Sequence, residues 1–327
     1  MEISELSADD TAGVADFVAV SNAVREADSP WDHEMTEVEA VGQLRYGWDL
    51  EPGTAYLARE QGETVALGQY FTSRYDNHHL AWLNIEVHPG HRRRGHGSAL
   101  LEHLVARARR EGRTSVGIDG WDLAPVHAFA ARHGLAPKAA DVNRRQHLDR
   151  LDRAALDEQY DAALPHAADY VLERLLGPVP ENELAAMAVM AAAINDAPTD
   201  DLDIEDEAYP PERIRAYEQA QAARGTLHRV FARHRDSGAF AGQTVVAVDG
   251  ERPWLAEQHD TSVVREHRGH RLGLLLKLDM LRWLHEAQPQ IATIDTWNAA
   301  SNDHMIEVNE LLGYEVMGRG VSFQRSI

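Results

Sequence analysis

The sequence predicts an α/β protein of two tandem domains, each built on one mixed sheet with helices. Three observations predict this. At 327 residues the chain is long enough for two domains with adequate cores. One pattern occurs twice, over residues 87–101 and 263–277, a spacing of 176. Around each copy the same order of periodic segments recurs: two helices, three strands, a helix, a strand, a helix and a closing strand.

Taken in order, the first 50 residues read as helices, with apolar periodicity over 14–24 and 38–44 and a polar start at 32–37. Residues 54–59 and 65–71 are strands joined at Gln61-Gly62, a hairpin signal, and 79–87 is a third strand. A helix over 98–111 carries Leu100, Leu101, Leu104, Val105 and Ala108 on one face and ends at Gly112. A strand at 114–119 and a helix at 124–133 follow, and 143–148 is expected to close the first domain. Residues 151–164 suit a helix and 170–176 a strand, before a break at Gly177-Pro178-Val179-Pro180. The expected division is a first domain at 1–150, a linker with a connecting strand at 151–180, and a second domain at 181–327. The second domain repeats the plan: helix 183–195, acidic stretch 200–209, helix 211–224, strands 227–233 and 242–248 around Asp236-Ser237-Gly238, strand 255–263, helix 273–286, strand 291–296, helix 301–312 and closing strand 315–323. The acidic stretch suits a solvated loop, with an amine-attracting cleft in front of the second copy as the alternative.

Composition excludes several function classes. No cysteine occurs, which rules out disulfides, thiolate metal sites and a cysteinyl acyl-enzyme. Eighteen histidines are scattered without metal-ligand spacing, so no metal is expected. A net charge of −21 argues against nucleic acid. No apolar run approaches the ~18 residues of a membrane span, and the acidic start is unlike a signal peptide, so no membrane partner and a cytoplasmic location are expected.

Each repeated pattern is a strand, a basic glycine-containing turn and a helix. Such a turn aims unpaired N–H groups at one point, where the helix dipole also favours an anion. The first copy offers Val87, Arg92, Arg93, Arg94, Gly95, His96, Gly97 and Ser98; the second offers Val263, Arg268, Gly269, His270, Arg271, Leu272 and Gly273. Together they predict two pyrophosphate cradles, with Arg92 and Arg268 adding charge. Arg271 stands where the first copy has Gly95, and a first-turn helical position is expected to accept it without a positive φ.

Arg92-x-x-Gly95-x-Gly97 resembles the acetyl-CoA signature of the GNAT N-acetyltransferase superfamily, and Arg268-x-x-Arg271-x-Gly273 departs from it at Arg271. Asn302, Gly313 and Tyr314 resemble a second motif of that family, in which Met305 replaces an alanine. The resemblance implies acetyl-CoA as co-substrate, two tandem GNAT domains, and Asn302 as a contact to the cofactor. Asn309 stands where many members have the tyrosine that protonates the departing thiolate, and Tyr314 is the nearby candidate. Acetyl transfer also needs a base for the ammonium proton and a donor to the thioester carbonyl. The strand before the second cradle offers Glu257, with His259 and Asp260 as competing bases, and a backbone amide as the donor. A shift of 176 places Ala81 opposite Glu257. Aligning Gly134 with Gly313 places Leu123 opposite Asn302 and Ala130 opposite Asn309. In the first domain Glu86 could serve as a base, with capping or pairing to the cradle arginines as the alternative. Turnover is therefore expected in the second domain, by direct transfer to a small-molecule amine, in a monomer or homodimer similar to the two-domain mycothiol synthase-like group. Alternatives are a CoA-binding pseudoenzyme, or an acetyltransferase acting on a protein or peptide amine or an antibiotic.

Overall fold

Local patterning, caps and turns set the elements of a computed structural model that describes residues 1–327. In chain order these are β1 (Glu2–Leu6), α1 (Thr11–Asp28), α2 (Glu37–Tyr46), β2 (Thr54–Glu60), β3 (Glu63–Phe71), β4 (Leu80–Val87), α3 (His96–Arg110), β5 (Ser115–Trp121), α4 (Ala124–Arg132) and β6 (Ala136–His147). There follow α5 (Arg153–Ala163), β7 (Tyr170–Leu176), α6 (Leu184–Ala191), α7 (Pro211–Ala222), β8 (Gly225–His234), β9 (Phe240–Asp249), β10 (Leu255–Val263), α8 (Leu272–Ala287), β11 (Thr293–Ala299), α9 (Asp303–Leu311) and β12 (Tyr314–Ser326). Asp10 caps α1 by accepting from the Gly13 amide at 3.0 Å, and Thr36 caps α2 through the Glu39 amide at 3.1 Å. Gln61 and Gly62 both have positive φ, as a two-residue hairpin demands. No helix is long and apolar enough to cross a membrane.

The chain divides into two units. Unit 1 comprises Met1–Asp141, Thr199–Asp206 and Gly318–Ile327; unit 2 comprises Val142–Pro198 and Glu207–Met317. Unit 1 orders its strands β1-β2-β3-β4-β5, followed by the part of β12 from Gly318 onward. β4 and β5 are parallel; the other pairs whose registers follow are antiparallel. One core lies under α3, whose Leu101, Leu104, Val105 and Ala108 pack on Leu83, Val116, Ile118 and Phe323. A second lies under α1 and α2, around Val14, Phe17, Val20, Ala40, Leu57 and Leu67. Unit 2 orders its strands β6-β11-β10-β9-β8-β7, with residues 142–147 supplying the β6 part. The leucines of α8 form one core, and α6 packs on Phe231 and Phe240 in the other. Each unit is thus a sheet between two helical layers.

The structure differs from the sequence expectation in five places. Residues 2–6 form strand β1 against β2 rather than helix. The strand expected to close the first domain places residues 142–147 in unit 2, where Arg145 makes a two-pronged bond to Asp295 on β11. The strand expected to close the second domain places Gly318–Ile327 in unit 1, where Gly320 to Ser326 pair with Trp121 to Ser115 of β5. The two closing strands are exchanged, so the linear boundaries at 150 and 181 do not describe the units. The segment expected as a linker is integral to unit 2, because β7 pairs with β8 from Tyr170↔His234 to Leu176↔His228. Finally, residues 199–206 of the acidic stretch belong to unit 1. There the Asp203 amide donates to Gln324 Oε1 at 2.7 Å and Glu205 exchanges bonds with Asn77.

Candidate active site

Both turns form the expected cradle. In unit 1 a short 3-10 turn, Pro89–His91, leads from β4 into the loop before α3. The first helical backbone bond is Ala99 N to Gly95 O, so the amides of Arg93, Arg94, Gly95, His96, Gly97 and Ser98 have no backbone acceptor. In unit 2 the first such bond is Leu275 N to Arg271 O, leaving the amides of Gly269, His270, Arg271, Leu272, Gly273 and Leu274 without one. Consecutive free amides at a helix N-terminus form a concave anion site.

The arginines that open the two patterns have another task. Arg92 donates from Nε to Val87 O at 3.1 Å and grips Asp28, at the end of α1, through both terminal nitrogens at 2.8 and 2.7 Å. Arg268 repeats this with Val263 O at 3.0 Å and Asp196 Oδ2 at 2.6 Å. Each guanidinium ties the end of the strand to an acidic residue on the other side of the loop. Asp28 neutralises Arg92, whereas Asp196 is shared by Arg268 and Arg265, so unit 2 keeps a net positive charge there; in both units the clamping arginine shapes the cradle. The exposed cations beside the amides are Arg93 and Arg94 in unit 1 and Arg271 in unit 2. His270 Nδ1 is bonded to His166 O at 3.1 Å, and the Leu272 side chain is buried, so only their amides face the cradle.

The expectation for Arg271 is overturned. Its φ of 54° and ψ of 22° place it in the left-handed region, the same region as Gly95 with φ 92°. The position demands a positive φ and arginine adopts it. Gly97 is fixed by space instead: a Cβ there would stand 3.3 Å from both Phe129 Cε2 and Val87 Cγ2, whereas Gly273 faces nothing within 4 Å.

Ahead of each cradle, two parallel strands part. β4 and β5 pair from Leu80↔Ser115 to Leu83↔Ile118, and β10 and β11 only from Leu255↔Thr293 to Glu257↔Asp295. Beyond those points one edge of the strand lacks its parallel partner. A slot of this kind accepts an extended chain by backbone pairing. The units differ at the slot. β4 pairs with β3 in unbroken register, whereas β10 shifts against β9 between Gln258 and Thr261. The extra residue is a β-bulge at His259-Asp260, which redirects side chains and frees backbone groups. It also corrects the alignment: before the bulge the offset falls to 175, so Glu257 corresponds to Trp82, and Ala81 to the core residue Ala256.

Around the bulge the candidate bases come together. His259 Nε2 lies 3.7 Å from Glu257 Oε2, and its Nδ1 is 2.6 Å from the Tyr217 hydroxyl on α7. The Glu257 side chain is 57% exposed and can meet a substrate. Its surroundings desolvate it, but the bond to His259 and the charges of His259 and Arg224 hold its pKa below the usual value. Burial raises Asp260, with His259 and Arg229 opposing. Burial also raises Tyr217, keeping that phenol neutral.

Three expected residues do not join this group. The Asn302 side chain caps α9, accepting from the Met305 amide at 3.2 Å; Leu123 caps α4 without such a bond. Tyr314 is buried in the α8 core, and burial raises its pKa. Asn309 is fully buried: its Oδ1 accepts from Lys277 Nζ at 2.6 Å, and its Nδ2 donates to Asn298 Oδ1 at 2.6 Å. Burial lowers the Lys277 pKa to about 7. This polar chain was missed because a lone lysine in a leucine-rich helix carries no sequence signal. Asp28, Asp196 and the bulge were missed because each depends on a partner distant in sequence.

In unit 1, burial raises Glu86, which accepts from Asn84 at 3.3 Å and sits near Ser21, Arg25 and Asp28, away from any slot base. Asp119 accepts from Trp82 Nε1 at 2.5 Å and from Ser322 Oγ at 2.6 Å. Burial, with the charges of Asp119 and Asp200, pushes Asp141 up to about 6.

Comparison with known proteins agrees with this geometry. Residues 19–135 match the acetyltransferase (GNAT) family model. A mycothiol acetyltransferase of Thermomonospora curvata is 56% identical over 52 residues, 16% of each chain. One of Stackebrandtia nassauensis is 34% identical over 100 residues, 30% of this chain and 31% of that one. The matched stretches thus span less than a third of those curated relatives. Along nearly its whole length the chain resembles a solved tandem GNAT protein from the clavulanic acid biosynthesis pathway, at 27% identity and a TM-score of 0.79, covering 99% of this chain and 98% of that one. A GCN5-related N-acetyltransferase from Sphaerobacter thermophilus shares the fold at 16% identity and a TM-score of 0.70, covering 99% and 95%.

Proposed function

Because the chain belongs to the GNAT acetyltransferase family, as a tandem protein of two such units, we propose that it transfers an acetyl group from acetyl-CoA to a small-molecule amine and that unit 2 performs the transfer. The observation that carries this is the bulged, parted strand β10 in front of a cradle of free amides, with Glu257, His259 and Asp260 gathered on it. The CoA pyrophosphate sits on the amides of Gly269 to Leu274, and its extended arm lies along the unpaired edge of β10. A backbone amide at the bulge polarises the thioester carbonyl. Glu257, held by His259, takes the ammonium proton. The neutral amine nitrogen then bonds to the carbonyl carbon, the C–S bond breaks, and CoA leaves as a thiolate that takes up the second proton shed by that nitrogen. Direct transfer is consistent with a chain that has no cysteine. The small-molecule acceptor is supported by the relatives named for mycothiol acetylation and for the clavulanic acid pathway.

Acetyl-CoA turnover over an amine panel tests the proposal. Glu257→Gln is expected to lower kcat ~10²–10⁴-fold with CoA binding intact, the usual worth of a general base. Arg92→Glu, which breaks the unit 1 clamp, is expected to leave acetylation running. If Arg92→Glu abolishes turnover and Glu257→Gln spares it, the active unit is unit 1. A second reading is CoA binding without turnover. It is favoured by the burial of Asn309 and Tyr314, which leaves unit 2 without a tyrosine acid at the position the family uses. Absence of acetylated product from every amine, with CoA bound, would establish it.

A further inference from the structure

Three side chains at the rim of the unit 1 cradle serve neither the amide nest nor the slot. Glu60 ends β2, His91 ends the 3-10 turn after β4, and His96 is the first residue of α3. One donor atom from each lies within 4.8 Å of the other two. His96 is 5% exposed, and its buried Nε2 has no hydrogen-bond partner; Glu60 Oε2 stands 3.7 Å away. A buried ring nitrogen without a partner is costly and asks for a ligand. His91 has a buried Nδ1 without a partner, and its Nε2 is 3.3 Å from Glu63 Oε1. Glu60 and Glu63 face each other directly across the β2–β3 hairpin, a like-charge pair that a cation would relieve.

We propose that Glu60, His91 and His96 form a binding site for a divalent transition metal, zinc in the first instance, that staples the β2–β3 hairpin to the unit 1 cradle. Two imidazoles and a carboxylate are a donor set suited to zinc, with a fourth position left for water or for Glu63. In a tetrahedral shell with bonds of about 2.1 Å the donors stand about 3.4 Å apart. The half-exposed Glu60 and Glu63 side chains can close that gap by rotating. Unit 2 has no equivalent. The residue matching His96 is Leu272, and His267, which matches His91, is bonded to the Tyr170 hydroxyl at 3.0 Å. The two units therefore provide an internal control.

The test uses the untagged full-length protein after treatment with a chelator, titrated with zinc sulfate by calorimetry and with cobalt(II) by visible absorption. One equivalent is expected to bind at micromolar or lower concentration, with the absorption of low-symmetry cobalt. His96→Gln, His91→Asn and Glu60→Gln should each weaken it by at least ~10–100-fold, the range in which metal sites respond even to loss of outer contacts. His78→Gln, a change at an exposed histidine, should not. Zinc should also raise the thermal midpoint of the wild type and not of His96→Gln. If His96→Gln fails to fold, the surface change Glu60→Gln decides. No binding to the wild type, or binding undiminished in Glu60→Gln and His91→Asn, overturns the proposal.

Discussion

The two cradles share one backbone and spend their glycines differently. In unit 1 the left-handed positions are Arg93, with φ 64°, and Gly95, with φ 92°. In unit 2 they are Gly269, with φ 85°, and Arg271, with φ 54°. The loop needs two residues of positive φ, and each copy places glycine at one and arginine at the other, in opposite order. A motif that fixes glycine only at the second left-handed position therefore recognises half of the requirement. This is consistent with the family model matching residues 19–135, which hold the unit 1 copy. The interiors differ in the reverse sense. Leu101 and Ala130 are buried apolar residues in unit 1, and their counterparts Lys277 and Asn309 form a buried polar chain in unit 2. The unit whose loop keeps glycine at the motif position has the plainer interior; the unit with the altered loop carries the bulge and the polar groups.

Loss of turnover in Glu257→Gln is the largest effect expected to separate the units. Next comes the arginine clamp. Arg92→Ala removes the carbonyl and carboxylate bonds that close the unit 1 loop, each charge-assisted bond being worth about 1.5–3 kcal/mol before screening at this partly exposed site. CoA calorimetry should show the unit 1 site weakened by at least tenfold and the unit 2 site unmoved, with Arg268→Ala doing the converse. Should either change weaken both sites equally, the cradles are not independent.

A smaller effect comes from giving unit 2 the unit 1 residue. Lys277 has its folded pKa lowered from 10.5 to about 7. Between those values the unfolded chain holds the proton and the folded chain does not, so wild-type stability rises with pH across that window. The slope contributed by one group cannot exceed about 1.4 kcal/mol per pH unit. Lys277→Leu should remove that rise, which urea midpoints at pH 7 and pH 9 would reveal. A variant that keeps the wild-type difference would mean that Lys277 stays charged in the folded protein.

The smallest effect distinguishes the two loop chemistries. Arg271→Gly relieves a left-handed non-glycine residue and should stabilise unit 2 by about 1 kcal/mol, read as a rise in its thermal midpoint. If CoA affinity falls in the same variant, the Arg271 side chain is a phosphate ligand; unchanged affinity means it only tolerates the strain.

Much of the fold was legible because it follows from short-range rules. The apolar face of α3, the Gln61-Gly62 hairpin and both cradles are written in contiguous residues. The matching ends of α4 and α9 were also found, since the positive-φ residues Gly134 and Gly313 each follow the helix by two positions and precede the next strand. What was missed depends on partners far away in sequence. Asp28 and Asp196 look like ordinary helix-end acids until Arg92 and Arg268 reach them. One extra residue in β10 moved Glu257 from opposite Ala81 to opposite Trp82, and a fixed offset cannot register such an insertion. Asn302 satisfied a motif and yet serves as a cap, because a half-buried asparagine before a helix bonds its own backbone first.

The exchange of closing strands has a consequence for how the protein is made. Ser322 reaches Asp119 across 203 positions of sequence, and the whole ladder from Gly320 to Ser326 on β5 is of that range. During synthesis β5 therefore emerges long before its neighbour, which is translated only after all of unit 2. Until then unit 1 presents an open strand edge, the kind of surface on which nascent chains misassociate. Completion of unit 1 is a late, non-local step, and the order of maturation runs against the order of translation. A ribosome stalled before residue 318 would hold a unit 1 still lacking Phe323, a core side chain 1% exposed in the finished fold.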